Sequence, residues 1–447
     1  MLIVPSHRAA LDPDRTLVVG NRGVGKSFWT GVLADPAARA HVARTFRELA
    51  AVDVDVGFNG SERTGSVAPT KNAIDQAFRD HGDADAVWRA VLVRAARAHN
   101  IPVPRAATPD GFTAQVAWAK DNGETVDRIV TKLDDQYVQE GRRLVIVFDA
   151  LDRLGTNWET KRTQATALLK RALAVRSFRA IRLKLFMRRD QFEDPLLFRF
   201  ADGSKIENQR VELVWKTHEL YDLLFSWLEK HEVSAIAFGQ LIASVRARSA
   251  LSGVDQQVRL VNAIAGEFMG ATRKQGRVYT WLPLHLSDAR GETSPRTFLT
   301  AWLEAALREP APVRRAIDHL GIHEGVRKAS EDRLKELEED YAWISLALRP
   351  LRGLQVPMDR AALKSTWRSK RTTSEILRDS SATNALPPVR LDSATAADRD
   401  REDALLEDLV AIGIVELRPN DKVNVPDIFR LEAGIKRKGG VPAPKRG

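Results

Sequence analysis

The sequence predicts an α/β fold with a parallel sheet in the first half of the chain, followed by a mostly helical second half. Short apolar segments with the composition of buried strands cover 15–19, 143–149, 181–187 and 211–215, and a Val/Asp alternation at 52–56 indicates another strand. Helical patterns separate these segments, and strands that alternate with helices are typical of a parallel sheet. The segment 144–148 is apolar throughout, as expected of a central strand covered on both faces.

The amino-acid composition indicates a globular protein and excludes several other classes. With 447 residues, 44% of them hydrophobic and 29% charged, the chain is an ordinary globular protein of several domains. The absence of cysteine excludes disulfides and thiolate metal sites. No segment has the length and apolarity of a signal-peptide core or a membrane span, so we expect a cytoplasmic protein without a membrane partner. The net charge of +10 favours a polyanionic partner such as nucleic acid without deciding the matter.

One motif carries a specific chemistry. The pattern G-x-x-x-x-G-K-[ST] is matched in full by Gly20, Asn21, Arg22, Gly23, Val24, Gly25, Lys26 and Ser27. In such a loop the backbone N–H groups face the phosphates, the lysine reaches the β- and γ-phosphates, and the serine ligates Mg²⁺. A predicted strand precedes the loop and a helix follows it, which is the context that the motif requires. We therefore expect a P-loop NTPase domain at 1–216 that binds a nucleoside triphosphate with Mg²⁺.

Two acidic residues follow the apolar segment 144–148. Asp149 ends the predicted strand, where its carboxylate would hold Mg²⁺ beside Ser27. Asp152 is a candidate general base for the attacking water, although it would equally serve as the N-cap of the next helix.

Two arginines are further catalytic candidates. Arg188 follows the strand 181–187 at the sheet edge where ligands bind in open α/β sheets, so it is a candidate sensor of the γ-phosphate. Its alternative is a surface salt bridge. Arg296 begins a helix in the second half and is a candidate to reach the nucleotide, its alternative being a solvated helix start.

A resemblance to guanine-specific motifs is misleading. Thr131, Lys132 and Asp134 resemble [NT]KxD, and the segment 152–155 resembles DxxG. In GTPases the guanine motif follows DxxG, whereas here it precedes it and lies within a predicted helix. ATP is therefore the expected nucleotide.

The second half is expected to contain a helical domain at 217–337 and a winged helix at 338–435, where helices precede a hairpin at 414–425. A loop is predicted at 380–399 and a basic disordered tail at 436–447. Basic residues around Trp367 make DNA contact possible through 360–371 and 436–446. The alternatives are a solvated face and a module that packs against protein.

The phosphate loop, the strand ending in Asp149 and the strand leading into Arg188 together resemble the STAND class of signal-transducing P-loop ATPases. The resemblance implies a sheet of the additional-strand type, and it implies a nucleotide-controlled switch that oligomerises or engages a partner. Many bacterial members serve in defence against phage or in signalling. Because no repeat-rich sensor follows the winged helix, a sensor would be a separate protein.

One departure from that class concerns hydrolysis. Members of the class usually carry an Asp-Glu pair after the strand-end aspartate (Walker B), which here is Asp149. In this chain Asp152 is followed by Arg153, which implies an ATPase of low intrinsic rate. The rival hypothesis is an ATP-regulated DNA-binding protein, or an accessory of a DNA motor, that uses its winged helix and basic tail on DNA.

Overall fold

The computed structural model describes residues 2–245, 253–396 and 400–438. The chain divides into two compact units, one spanning Ile3–Leu213 and the other beginning at Val214. Among the described residues, no helix is both long and apolar enough to cross a membrane.

The first unit is built on a parallel sheet of five strands within the described residues, in the order β2-β3-β4-β1-β5. The strands are β1 (Leu17–Gly20), β2 (Val52–Phe58), β3 (Arg143–Phe148), β4 (Ile181–Arg188) and β5 (Val211–Glu212). Strand β4 lies between β1 and β3, which is the arrangement of the additional-strand P-loop NTPases. The predicted fold class is thereby confirmed. The predicted strand 211–215 is shorter than expected, because pairing with β1 covers only its first two residues.

Helices pack against this sheet, and residues 144–148 of β3, which are all apolar, are all buried. The helices are α1 (Arg8–Leu11), α2 (Lys26–Ala34), α3 (Pro36–Ala43), α4 (Lys71–His81), α5 (Ala84–Ala98), α6 (Phe112–Asp121), α7 (Gly123–Gln139), α8 (Trp158–Val175), α9 (Arg189–Phe192) and α10 (Gly203–Asn208). The helical pattern at 73–99 is divided in two because Gly82 takes φ 65°, and the Asp83 side chain then accepts from the Ala86 N–H to begin α5.

The second unit begins with a helical region. Its helices are α11 (Thr217–Lys230), α12 (Ala235–Ser244), α13 (Val254–Ala265), α14 (Val278–His285), α15 (Pro295–Leu307), α16 (His319–Asp340) and α17 (Trp343–Leu348). Helix α16 packs closely on α15 at Gly325, where a Cβ atom would lie 2.1 Å from the carbonyl oxygen of Ala301. The predicted boundary between the helical domain and the winged helix, at 337/338, falls inside α16. The division into these two domains therefore stays a proposal.

A winged helix follows. Its elements are β6 (Gln355–Val356), β7 (Met358–Asp359), α18 (Arg360–Ser369), α19 (Thr372–Thr383), α20 (Val389–Ala396), α21 (Arg401–Ile412), β8 (Glu416–Arg418), β9 (Lys422–Asn424), α22 (Asp427–Arg430) and β10 (Lys436–Arg437). Strands β7, β9 and β8 form an antiparallel sheet. Asn420 and Asp421 both have positive φ in the turn, as two-residue hairpins require. This confirms the expected helices and hairpin.

Two expectations for this region are wrong. The predicted loop 380–399 contains the end of α19 and helix α20, because the carboxylate of Asp408 accepts from the backbone N–H groups of Arg390 and Leu391 and so stabilises the start of α20. The predicted disorder from 436 does not hold for β10, which pairs in parallel with β6. Residues 439–447 of that tail lie outside the described residues.

Candidate nucleotide-binding site

The phosphate loop connects the end of β1 to the start of α2. Gly23 and Gly25 take φ of 83° and 103°, in the left-handed region that favours glycine. A Cβ atom on Gly20 would lie 2.8 Å from a methyl carbon of Val24, so a side chain there would displace the loop. The loop and the N-terminus of α2 together form a site suited to phosphate.

Lys26 is folded back on this loop. Its Nζ donates to the carbonyl oxygens of Gly20 at 2.8 Å and Asn21 at 2.9 Å. Burial, assisted by the positive charge of Arg188, lowers the pKa of Lys26 to about 8, although Asp149 and other carboxylates oppose the shift. Among the residues that the structure describes, no carboxylate is bonded to this partly desolvated ammonium, which favours its interaction with an incoming phosphate.

The end of the loop meets the end of β3. The Ser27 hydroxyl donates to Asp149 Oδ2 at 2.7 Å, across 122 residues of sequence. Asp149 is buried, and its other carboxylate oxygen accepts from the N–H of Ala150 at 2.8 Å. A hydroxyl and a carboxylate are hard oxygen ligands of the kind that Mg²⁺ takes, so this pair fits the expected metal.

A second group of charges adjoins β3 and β4. Asp152 lies in a single 3₁₀ turn, Leu151–Arg153, rather than at the N-cap of α8, which is Asn157. One guanidinium nitrogen of Arg188 lies 3.4 Å from Asp152 Oδ2, and its Nε donates to Asp190 at 3.0 Å. Both predicted candidates therefore lie together at the carboxyl end of the sheet, and the alternative of a surface bridge fails for Arg188 because its side chain is only 10% exposed.

Two residues of this site were missed by sequence reasoning. The Nζ of Lys161 donates to the backbone carbonyl of Asp152, and Arg153 donates to the carbonyl of Gly60 at 3.4 Å. Lys161 stands in a polar segment of α8 that is typical of a solvated helix face. No sequence signal therefore distinguishes it from a surface lysine.

The guanine-like segment has a structural role. Asp134 lies on α7 and is buried, and its carboxylate accepts from the backbone N–H groups of Arg179, Ala180 and Ile181 at the start of β4. A carboxylate occupied in this way is unavailable to a guanine base. The segment 131–134 therefore does not act as a guanine-binding motif, and the preference for ATP stays a prediction.

No family model matches the chain, and no curated protein matches it in sequence. It is similar to the solved structure of the Aeropyrum pernix ORC2 protein in its ADPNP–ADP complexes, with 14% identity, a TM-score of 0.32, and coverage of 96% of this chain and 85% of that chain. The ADP form of the same protein gives 14% identity, a TM-score of 0.33, and coverage of 93% of this chain and 84% of that chain. Cdc6p from Pyrobaculum aerophilum gives 14% identity, a TM-score of 0.30, and coverage of 94% of this chain and 84% of that chain. The fold assignment rests on the sheet order and the phosphate loop.

Arg296 lies in the second unit. It lies in the first turn of α15, its side chain is 55% exposed, and it donates to Glu336 at 2.6 Å. This contact matches the alternative of a solvated helix start, and its catalytic role stays a prediction.

The basic residues of α18 also lie in the second unit and are paired with acids. Lys364 contacts Asp400 at 2.9 Å and Asp403 at 2.5 Å, whereas Arg368 contacts Asp400 and also Glu402, the latter at 3.2 Å. These acids belong to α21 or to the residue before it. Their negative charge offsets the positive charge of the basic side chains that the sequence suggests for phosphate contacts. DNA binding therefore stays a prediction.

Proposed function

We propose that this chain binds ATP with Mg²⁺ on its P-loop NTPase unit and acts as a nucleotide-controlled switch with a low ATPase rate. The observation that carries the proposal is the 2.7 Å hydrogen bond from Ser27 to Asp149. It brings the last residue of the phosphate loop to the carboxylate at the end of β3, as a P-loop NTPase requires for the metal that accompanies its nucleotide.

In this proposal phosphate binding, Mg²⁺ binding and hydrolysis are carried out by different residues of the site. Loop N–H groups and Lys26 bind the phosphates, and Lys26 must exchange its two carbonyl partners for phosphate oxygens. Ser27 and Asp149 would hold Mg²⁺, which when bound supplies charge neutralisation on the phosphates. Asp152 accepts the proton of the attacking water, and Arg188 stabilises negative charge that develops on the γ-phosphate.

The switch role rests on the STAND-like motifs and on the order of the domains. In this proposal nucleotide exchange or hydrolysis changes the state of the helical and winged-helix regions, which permits oligomerisation or engagement of a protein partner. The biological setting would be defence against phage or signalling. Plaque counts on a host carrying the native chain or its Lys26→Ala variant test the defence role, and equal counts would remove it.

The DNA-binding rival has less support from the described residues. Helix α21 precedes the hairpin, which is the position of a recognition helix in a DNA-binding winged helix. Most of its side chains are nevertheless buried or half-buried, and the exposed ones are those of Arg401 and the acidic Glu407. Its acidic residues pair with the basic side chains of α18. These contacts favour a winged helix that packs within the protein.

The deciding experiment measures ATP binding and single-turnover hydrolysis with Mg²⁺ for the native chain, Lys26→Ala and Asp149→Asn. We expect Lys26→Ala to lose ATP binding and Asp149→Asn to lose the dependence of that binding on Mg²⁺. The control is Lys132→Ala on the exposed face of α7, which should behave as the native chain. If the native chain binds no ATP, or if Lys26→Ala binds it equally, the proposal is wrong.

Light scattering on the same samples tests the switch. A change in molar mass or radius between the ATP-bound and ADP-bound chain is expected. The same mass and radius in both states would leave an ATPase without a switch.

A further inference from the structure

The segment that carries Asp152 follows an unusual backbone path. This segment, which we call the Asp152 loop, comprises residues 150–157 between β3 and α8. Ala150 has φ 57°, in the left-handed region that disfavours a residue with a Cβ atom, and Gly155 has φ 68°. Such a path persists only where surrounding contacts hold it. The position of the Asp152 carboxylate therefore depends on side chains outside the loop.

Two side chains from flanking helices supply such contacts. Asp75, buried on α4, accepts from the N–H of Gly155 at 2.9 Å. Lys161, on the first turn of α8, donates from Nζ to the backbone carbonyl of Asp152 itself. The first contact holds the far end of the loop, whereas the second acts on the residue that carries the candidate general base.

The surroundings of Lys161 are unusual for a lysine. Burial lowers its pKa, against the opposing charges of Asp152 and Asp190, and the nearby positive charge of Arg188 adds to the lowering. In the part of the chain that the structure describes, Lys161 forms no ion pair, and its hydrogen bond goes to the main chain. A partly desolvated ammonium without a bonded carboxylate is unfavourable for stability, and an apolar residue would pack there at lower cost.

We propose that Lys161 is a positioning residue for ATP hydrolysis, which fixes the backbone of Asp152 so that its carboxylate and the Arg188 guanidinium remain aligned at the reacting phosphate. This inference rests on the proposed ATPase function. Lys161 acts through Asp152 and does not itself accept or donate the reacting proton. Its contribution is therefore to turnover and not to nucleotide affinity.

The test compares native chain, Lys161→Met and Lys161→Arg in single-turnover hydrolysis and in equilibrium ATP binding. Methionine keeps the unbranched stem of the side chain and removes the donor, and we expect it to lower the single-turnover rate by about 100-fold, as misplacement of a catalytic group does. ATP affinity and thermal stability should remain near native. Arginine retains a donor and should recover most of the lost rate.

The matched control is Lys170→Met, which removes an exposed lysine from the same helix and should leave the rate unchanged. A double mutant separates positioning from general damage. Once Asp152→Ala has removed the carboxylate, the added Lys161→Met should change the rate by less than about twofold, because a group that acts only through Asp152 has nothing left to position.

The outcomes are distinguishable. If native hydrolysis does not depend on Asp152, the proposed ATPase mechanism fails and this inference fails with it. If hydrolysis depends on Asp152 but Lys161→Met turns over at the native rate, only the inference is overturned. A rate loss in Lys161→Met that is equally large in the Asp152→Ala background would also overturn it.

Discussion

Lys26 in the phosphate loop and Lys364 on α18 are both partly buried lysines, yet their partners are of different kinds. Lys26 donates to two uncharged carbonyl oxygens, whereas Lys364 contacts the carboxylates of Asp400 and Asp403. In both lysines burial by itself disfavours the charged form and so contributes a lowering of the pKa. For Lys26 the net result is a pKa of about 8, but for Lys364 the hydrogen bonds to Asp403 and Asp400 outweigh burial and its pKa is raised.

The difference shows that a buried ammonium can bind an anionic ligand when its partners in the folded chain are uncharged, and that it is less available when those partners are carboxylates. Carbonyl dipoles orient an ammonium without cancelling its charge, so a phosphate can replace them. Carboxylates cancel that charge, and a phosphate would have to displace them. The number of basic residues in a sequence segment therefore does not decide its capacity to bind a polyanion.

The largest effect that would sharpen this comparison is expected at Asp152. Asp152→Ala should lower the single-turnover rate of ATP hydrolysis by about 100-fold or more, as removal of a general base does, with ATP affinity near native. Asp403→Ala, the matched change beside α18, should leave the rate unchanged. Equal rates for the native chain and Asp152→Ala would contradict the assignment of the base.

The next largest effect is a pH dependence that Lys26 should show. In the free protein its ammonium is protonated below pH 8 and loses its proton above that pH, while bound phosphate would keep it protonated. Binding above pH 8 therefore takes up a proton, and ATP affinity should fall by about fivefold from pH 8 to pH 9. Titration calorimetry at both pH values measures this change.

The control for that profile is Lys26→Arg, because a guanidinium stays charged throughout this range. Its ATP affinity, even if lower, should not change between pH 8 and pH 9. A native profile as flat as that of the arginine variant would show that the ammonium does not titrate near pH 8.

A smaller effect is expected when the carboxylates that contact the basic side chains of α18 are removed, which would make Lys364 resemble Lys26. Asp400→Asn combined with Asp403→Asn removes both carboxylates from Lys364, and we expect affinity for duplex DNA at low salt to rise by about threefold to tenfold. Fluorescence anisotropy over a range of salt concentrations measures it. An unchanged affinity would mean that α18 is inaccessible to DNA even when its charge is restored.

The smallest effect is expected when α18 itself loses charge. Lys364→Met should change DNA affinity by less than about twofold, because the lysine it removes is already neutralised by acids. Anisotropy under the same conditions checks this. A loss of binding that is steep in salt and follows Lys364→Met would support the DNA-binding rival instead.

Sequence reasoning succeeded where the signal is contiguous. The phosphate loop and the strand ending in Asp149 were identified because glycine conformations, a following helix and an apolar strand are local properties. It failed where a partner lies far along the chain. The sequence predicts a loop where helix α20 forms, because the acid that stabilises its start, Asp408, comes after it on α21. It predicts disorder where β10 forms, because that strand pairs with the distant β6.

The sequence by itself determined that a P-loop NTPase sheet is present, which loop would cradle phosphate, and that Ser27 and Asp149 are suited to Mg²⁺. Only the tertiary structure decided which charges remain available. It brought Lys161 to the backbone of Asp152, and it placed the acids of α21 against Lys364. The physical reason is that electrostatic free energy depends on distance and desolvation, and both are set by side chains that meet only when the chain has folded.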